Sequence, residues 1–278
     1  WRRISALSTD SAKGKPILHV DGLHVIYDGV CVLDLPNLDI HPGERVFLLG
    51  RSGSGKTTLL RVFKGRVSPD TGRCESAGGN PRSTSRKVRR RIQRRIAMID
   101  QEFYLVPRMR VIDNILTGCL GRVGVIRSML GWYPQREWDE AERILDEVGL
   151  KGLGNRRVET LSGGQRQRAA IARALMQDAD VILADEPISN LDPELAEDAL
   201  ELLVECVERR QVTLVVTLHQ PSLAKRFATR LIGLLDGEII YDGPPEGLTD
   251  EVSHQVYRDT LEDDTVRPGK NDDGNAPP

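Results

Sequence analysis

Gly50-Arg51-Ser52-Gly53-Ser54-Gly55-Lys56-Thr57 is the stretch on which the fold turns. It satisfies G-x-x-x-x-G-K-T in full, follows the apolar run 46–49 and precedes a helical pattern over 57–64. Strand, glycine-rich loop and helix in that order are the context the motif requires. Glycines let a backbone wrap close to phosphate oxygens with its N–H groups turned inward, and a helix start adds a favourable potential for an anion. In such a loop Lys56 reaches the β- and γ-phosphates of a nucleotide and Thr57 ligates magnesium. Residues 50–58, Thr58 included, are the expected phosphate-holding set.

Further along, the apolar run 181–184 ends in Asp185 and Glu186. A strand end is where an open α/β sheet places its ligand site. Asp185 is placed to hold magnesium, and Glu186 is the candidate general base for an attacking water. His219 follows the run Thr213–Thr217, and a γ-phosphate contact is the preferred reading over a satisfied structural histidine. Gln101 follows the run Ile96–Ile99 as a candidate contact to magnesium or the attacking water. Between loop and acids lies Leu161-Ser162-Gly163-Gly164-Gln165.

The chain has 278 residues, 39% of them apolar, and a net charge of −2. That length suggests one or two domains with a sizeable core. The charge gives the whole molecule no strong pull toward nucleic acid or anionic lipid. Cys31, Cys74, Cys119 and Cys206 are scattered, with no Cys-x-x-Cys pair. This argues against a zinc site or disulfide framework and fits a reducing compartment. No apolar run approaches the roughly 20 residues of a membrane-crossing helix, and no signal pattern opens the chain. The expectation is a soluble intracellular protein able to dock onto something that spans a membrane.

Runs of strand length at 46–49, Ile96–Ile99, 181–184, Thr213–Thr217 and 231–235 include several that are apolar throughout, as for strands covered on both faces. Asp236-Gly237 signals a hairpin into 238–241. Trp138, Ala141, Leu145 and Val148 share a helical face that Gly149 stops. Leu195, Ala199, Leu202 and Cys206 share another, with Asp192 as N-cap and Pro193 in the first turn. The expected fold class is α/β, with 102–176 as a helical insertion. Residues 1–15 read as a polar leader and the acidic 249–278 as a tail that frays. Arg82, Arg86, Lys87, Arg89, Arg90, Arg91, Arg94 and Arg95 crowd a stretch without an acid. A solvated helix is preferred there over a contact with nucleic acid or anionic lipid. No aromatic is interleaved to stack on bases.

Together these residues resemble the ATP-binding-cassette family over about 17–245. Leu161-Ser162-Gly163-Gly164-Gln165 is similar to the family signature, with a helix over 166–176 behind it. The resemblance implies a P-loop NTPase (RecA-like) core over 16–248, with an N-terminal antiparallel β subdomain and a helical signature-motif subdomain. It implies that Ser162, Gly163, Gly164 and Gln165 complete the ATP site of a second copy, through N–H groups and the Ser162 hydroxyl. Ser189-Asn190-Leu191-Asp192 resembles the D-loop that crosses the dimer, which adds Asp192 to the nucleotide set. Asn190 stands where many relatives have a small residue. Tyr27, 29 positions before Lys56, resembles the aromatic that stacks on adenine.

A narrower resemblance is to the ATPase of phosphonate importers. It rests on Leu175-Met176-Gln177, on 181–187, on Thr217-Leu218-His219-Gln220 and on Tyr241-Asp242-Gly243. Gly118-Cys119-Leu120-Gly121-Arg122 and Leu130-Gly131-Trp132 are similar to that group's longer insert. The resemblance implies hydrolysis of ATP with Mg2+, an ATP-sandwich homodimer, two permease subunits in the membrane and an extracytoplasmic binding protein. The chain would sit peripherally on the cytoplasmic face of the inner membrane, and no nucleic acid is expected. Phosphate, phosphite or another oxyanion would need no change in this subunit.

Rival classes remain. One is a soluble ATPase acting on nucleic acid or the ribosome. Repair-type relatives carry long coiled coils or zinc modules, and translation-type relatives carry two cassettes; this chain shows one cassette and neither addition. Another is a nucleotide-dependent scaffold, against which Glu186 and His219 speak. Within transport, an exporter is the alternative to an importer.

Overall fold

In the computed structural model, residues 14–123, 131–189 and 191–257 are described. Their elements run β1 (Leu18–Tyr27), β2 (Val30–Ile40), β3 (Arg45–Leu49), α1 (Lys56–Phe63), β4 (Thr71–Ser76), α2 (Arg86–Arg95) and β5 (Ile96–Ile99). Then come α3 (Val111–Leu116), α4 (Gln135–Glu147), α5 (Gly163–Met176), β6 (Val181–Asp185), α6 (Pro193–Arg209) and β7 (Thr213–Thr217). The last are α7 (Pro221–Phe227), β8 (Arg230–Leu235), β9 (Glu238–Gly243) and α8 (Asp250–Val256).

The runs of strand length assemble into one sheet of order β5-β6-β7-β3-β8-β9, parallel except for β9. Successive residues of a strand point to opposite faces. Phe47 and Leu49 accordingly join one apolar cluster, while Val46 and Leu48 join the other. Helices α3 to α6 cover the first face; α1 and a second sheet, β2-β1-β4, cover the other. A sheet buried on both sides has no use for alternation, which explains the unbroken apolar runs. The second sheet is antiparallel. It buries alternate residues such as Leu18, Val20, Leu23 and Val25. Asp236 and Gly237 join β8 to β9 with φ of 47° and 85°, the backbone a two-residue hairpin turn demands.

Among the described residues, 102–176 holds helical segments and no strand. Helix α2 buries only Ile92, as a solvated basic helix should. Two local expectations change. The inward face of α6 is Ala196, Ala199, Leu200, Leu203, Val204, Cys206 and Val207, whereas Leu195 is 44% exposed. Asp192 occupies the N-cap position without a side-chain capping bond; its carbonyl accepts from Ala196 N at 2.9 Å.

The stretch expected to fray from 249 instead begins with α8. Thr249 caps it by accepting from Val252 N at 3.3 Å. Val256 is fully buried against Gly233, where an added Cβ would lie 2.6 Å from Val256 Cγ2. One apolar side chain docked onto a glycine thus anchors a segment whose charge pattern argued against burial. Residues 1–13, within the expected leader, and 258–278, within the expected tail, lie outside the described residues.

Candidate nucleotide site

Strand β3 ends at Leu49 and α1 starts at Lys56, which leaves 50–55 as the connecting loop. Gly50, Gly53 and Gly55 have φ of 147°, 85° and 99°, a backbone that side-chain-bearing residues rarely adopt. Crowding adds to conformation at two of them. A methyl on Gly50 would strike the Leu234 carbonyl and the Ser54 hydroxyl, and one on Gly55 would sit 2.6 Å from Leu33 Cδ2. The β1–β2 hairpin therefore packs against the loop, and its tip carries Tyr27, 43% exposed.

Lys56 is buried, and its Nζ donates to Gly50 O at 2.8 Å and Arg51 O at 2.7 Å. Burial lowers its pKa, while the nearby Glu186 and Asp185 push the other way. Ser52 is exposed, Arg51 half-buried, and Ser54 and Thr58 buried. An ammonium at the start of a helix, inside a loop of inward-turning backbone, suits a chain of phosphates.

The carboxyl ends of β5, β6, β7 and β3 all open on one edge of the sheet. That edge gathers Gln101, Asp185, Glu186, His219 and the phosphate loop. Asp185 Oδ1 accepts from Thr57 Oγ1 and from Thr217 Oγ1, each at 2.9 Å. Thr217 Oγ1 in turn accepts from Glu186 N at 2.8 Å. His219 Nε2 lies 2.6 Å from Glu186 Oε1. An ionised carboxylate only accepts, so this pairing puts the ring proton on Nε2. Glu186 has a φ of 46°, a sparsely populated backbone that bends the chain out of the strand line.

The residues fit magnesium. Thr57 and Asp185 present two hard oxygens, and no cluster of three or more His, Cys, Asp or Glu suited to a metal occurs among the described residues. Magnesium keeps several waters and takes one or two carboxylates together with substrate phosphates. Of the residues expected at the site, the structure joins Lys56, Thr57, Asp185, Glu186 and His219. Gln101 shares their edge but is exposed and makes no hydrogen bond among the described residues.

Ser162 to Gln165 form a separate assembly at the start of α5. Ser162 Oγ accepts from Gln165 N at 3.3 Å, and Gln165 Oε1 accepts from Ser162 N at 3.1 Å. This capping box uses two of the four N–H groups that every helix start leaves unpaired, those of Ser162 and Gln165. Those of Gly163 and Gly164 remain for an outside acceptor. A Cβ on Gly163 would meet only Leu191 Cδ2 at 3.6 Å, and one on Gly164 only Leu195 Cδ2 at 4.0 Å. Asp192 directly follows Leu191 in the chain, and Asn190 falls outside the described residues.

Three further residues tie these parts together. Thr217 bridges the two acids, as above. Gln167, buried on α5, donates to Pro187 O at 2.8 Å, directly after Glu186. Arg173, farther along α5, donates to Tyr104 O at 2.7 Å and Phe103 O at 2.5 Å, in the loop after Gln101. A threonine inside an apolar run reads simply as a strand former. For Gln167 one signal existed: it shares a helical face with Ala170, Ile171 and Ala174.

Residues 33–189 match the ABC transporter family. The chain belongs to that family, with a P-loop α/β core, an antiparallel β subdomain and helices beside it, and it is an ATPase. Its relatives narrow the class. It is 41% identical over 252 residues to the phosphonates import ATP-binding protein PhnC of Nocardia farcinica, covering 91% of this chain and 94% of that one. It is 43% identical over 243 residues to phosphonates import ATP-binding protein PhnC 1 of Natronomonas pharaonis, covering 87% and 100%. Among solved structures, cbiO1 from Clostridium perfringens, described as part of the ABC transporter complex cbiONQ, matches with a TM-score of 0.75. The identity there is 26%, over 87% of this chain and 94% of the other. No helix of the described residues is long and apolar enough to cross a membrane.

Proposed function

We propose that this chain is the ATP-hydrolysing motor of a membrane importer for phosphonates or a related small oxyanion. It works as a homodimer on the cytoplasmic face of the inner membrane. Its partners are integral-membrane permease subunits and, through them, an extracytoplasmic binding protein. The motor reading is supported by one observation: the unbroken hydrogen-bonded path Thr57–Asp185–Thr217–Glu186–His219 beside the phosphate loop. The substrate reading is supported by the relatives, which are phosphonates import ATP-binding proteins.

Lys56 and the loop N–H groups hold the β- and γ-phosphates, and Tyr27 stacks on adenine. Thr57 and Asp185 hold Mg2+, with Gln101 reaching it or the attacking water; the ion, when bound, offsets phosphate charge. Glu186 Oε1 takes a proton from water, whose oxygen bonds to the γ-phosphorus as the bond to ADP breaks. His219, freed from Glu186, turns its Nε2 proton toward a γ-phosphate oxygen. Thr217 keeps both acids in register. N–H groups of Gly163 of the partner subunit and Gly164 of the partner subunit, together with Ser162 of the partner subunit, close the site. ATP touches both chains only in the closed pair, so it favours closure, and loss of the γ-phosphate reopens it. A groove of about 430 Å³ near Gln101, lined by Asp100, Tyr104, Leu120 and Arg173, receives the permease.

The test is reconstitution in liposomes with the neighbouring permeases and binding protein. Phosphonate should raise ATP hydrolysis several-fold and drive uptake. A binding protein that ignores phosphonates overturns the substrate and leaves the motor. Absence of phosphate release under every combination overturns the motor.

A further inference from the structure

Helix α2 carries its cations on one face. Arg86, Arg90 and Arg94 form one i, i+4 row, and Lys87, Arg91 and Arg95 form the row beside it. Together they line a groove of about 660 Å³ that no acid borders. The far side of the helix is the packed one, where a Cβ on Gly79 would meet Ile92 Cδ1 at 3.1 Å and Val88 Cγ1 at 3.9 Å. Arg95 donates to Asp180 and to the Ala77 carbonyl. The side chains of Arg86, Lys87, Arg90, Arg91 and Arg94 are exposed and have no hydrogen-bond or ion-pair partner among the described residues.

A solvated face is the plain reading of such a run. Two features weigh against water as its only partner. The first is the cost of the arrangement. Every i, i+4 pair on this face joins like charges, and each such pair weakens the helix. Arg86 and Lys87 stand in the first turn, which holds no acid and where the helix dipole disfavours a cation. A polyanion lying along the face offsets both effects.

The second feature is place. The end of α2 is built into the wall of the groove proposed to receive the permease, which Lys64 and Gln177 line. Lys64 Nζ donates to Gln93 O at 3.3 Å, and Gln177 Nε2 donates to Gln93 O at 3.1 Å and to Arg94 O at 3.0 Å. A Cβ on Gly121, next to Leu120 of the groove, would lie 2.9 Å from Arg94 Cγ. The cationic face thus starts where the groove ends. A permease seated in the groove brings that face toward the membrane surface, where a helix bearing about four to eight Lys and Arg is drawn to anionic headgroups. The face has no apolar side chain to insert among lipid tails, so its contact is with headgroup phosphates, through the forked N–H donors of arginine.

We propose that α2 is a membrane-surface contact of this ATPase: its cationic face lies on the phosphates of anionic lipid headgroups beside the permease. The orientation rests on the importer reading, and the lipid contact goes beyond it.

The test is co-sedimentation of the full chain with two kinds of vesicle, phosphatidylcholine alone and phosphatidylcholine with one third phosphatidylglycerol. The chain should sediment with the second kind only, and salt well above physiological strength should release it. A variant carrying Arg86→Gln, Arg90→Gln and Arg91→Gln should bind those vesicles about a hundredfold more weakly, each cation at such a surface being worth about fivefold. Its melting temperature should hold or rise, because like-charge pairs are gone, and its phosphate release without lipid should be unchanged. Lysine at the same positions should keep vesicle binding. Equal sedimentation with both kinds of vesicle, or unchanged binding by the glutamine variant, overturns the proposal. So does tighter binding of the unsubstituted chain to duplex RNA than to phosphatidylglycerol vesicles, lost in the glutamine variant, which would assign the face to nucleic acid. Sedimentation needs neither permease nor ATP turnover, so failure of this contact and failure of the importer reading are distinguishable.

Discussion

The molecule has two glycine-bearing helix starts, and they are built in opposite ways. At the phosphate loop, Gly50 and Gly55 are crowded by their own chain and held at positive φ. At α5, Gly163 and Gly164 are crowded by nothing, and a capping box finishes the helix start without them. Side chains repeat the contrast. Thr57, Asp185, Thr217, Glu186 and His219 bond to one another, whereas Ser162 and Gln165 bond only to each other's backbone. The first start is demanded by the fold. The second is complete as a helix end and still offers N–H groups, which is what the proposed contact with a second copy's nucleotide requires.

The contrast can be broken or sharpened in order of expected effect. The largest is Glu186→Gln. Turnover should fall by roughly 10²–10⁴ in a phosphate-release assay while ATP still binds and light scattering shows an accumulating pair. Near-normal turnover removes Glu186 from the role of base. Next is a matched pair of glycine substitutions. Gly55→Ala places a methyl against Leu33 at a strained φ and should cost about 1–3 kcal/mol along with nucleotide binding. Gly163→Ala should leave the melting temperature unchanged or raise it, since alanine in a helix gains up to about 1 kcal/mol. Its ATPase rate should nonetheless fall tenfold or more. An early-melting Gly163→Ala would erase the distinction.

A smaller effect is expected of Thr217→Val, which keeps the strand's shape and removes both bridging bonds. Denaturant titration should show a loss of about 1–3 kcal/mol, and kcat should fall further than ATP affinity.

The smallest effect involves groups that lie, all but one, outside both helix starts. Burial holds the thiols of Cys74, Cys119 and Cys206 at about 11, about 11 and about 12, against 9.0 when unfolded. Above pH 9 the unfolded chain therefore binds fewer protons than the fold, and stability declines toward pH 12. Lys64 has the opposite sign: burial lowers it from 10.5 to about 8, so its contribution rises between those values. Lys56, lowered by burial in the same direction, adds to this rise, and the three thiols work against both amines above pH 9. Urea titrations should show a shallow maximum near pH 9, and Cys206→Ala should flatten the alkaline limb.

Much of the site was legible because its chemistry is carried by contiguous words. Gly50 to Thr57 specify strand, loop and helix at once, and Asp185-Glu186 stand out by ending an apolar run. Thr217 was hidden because its strand role and its bridging role call for the same β-branched shape. Gln167 and Arg173 act through carbonyls of Pro187, Phe103 and Tyr104, and no side-chain pattern announces a backbone partner. Helix α8 was hidden for another reason. Average composition describes a tail poorly when one valine does the anchoring. The long strands β1 and β2 alternate weakly through polar positions, and their pairing came from family resemblance rather than periodicity.

Helix α5 has one more consequence. Its 14 residues make a rod about 21 Å long, with the Ser162 cap at one end and Arg173 gripping the Phe103–Tyr104 carbonyls toward the other. The two ends cannot shift independently. A push on that gripped turn becomes a tilt at the cap, with no side chain needing to change rotamer. A helix that moves as one body would join cap and loop, so Arg173→Ala should leave both folded while weakening any dependence of ATP hydrolysis on what binds beside Tyr104.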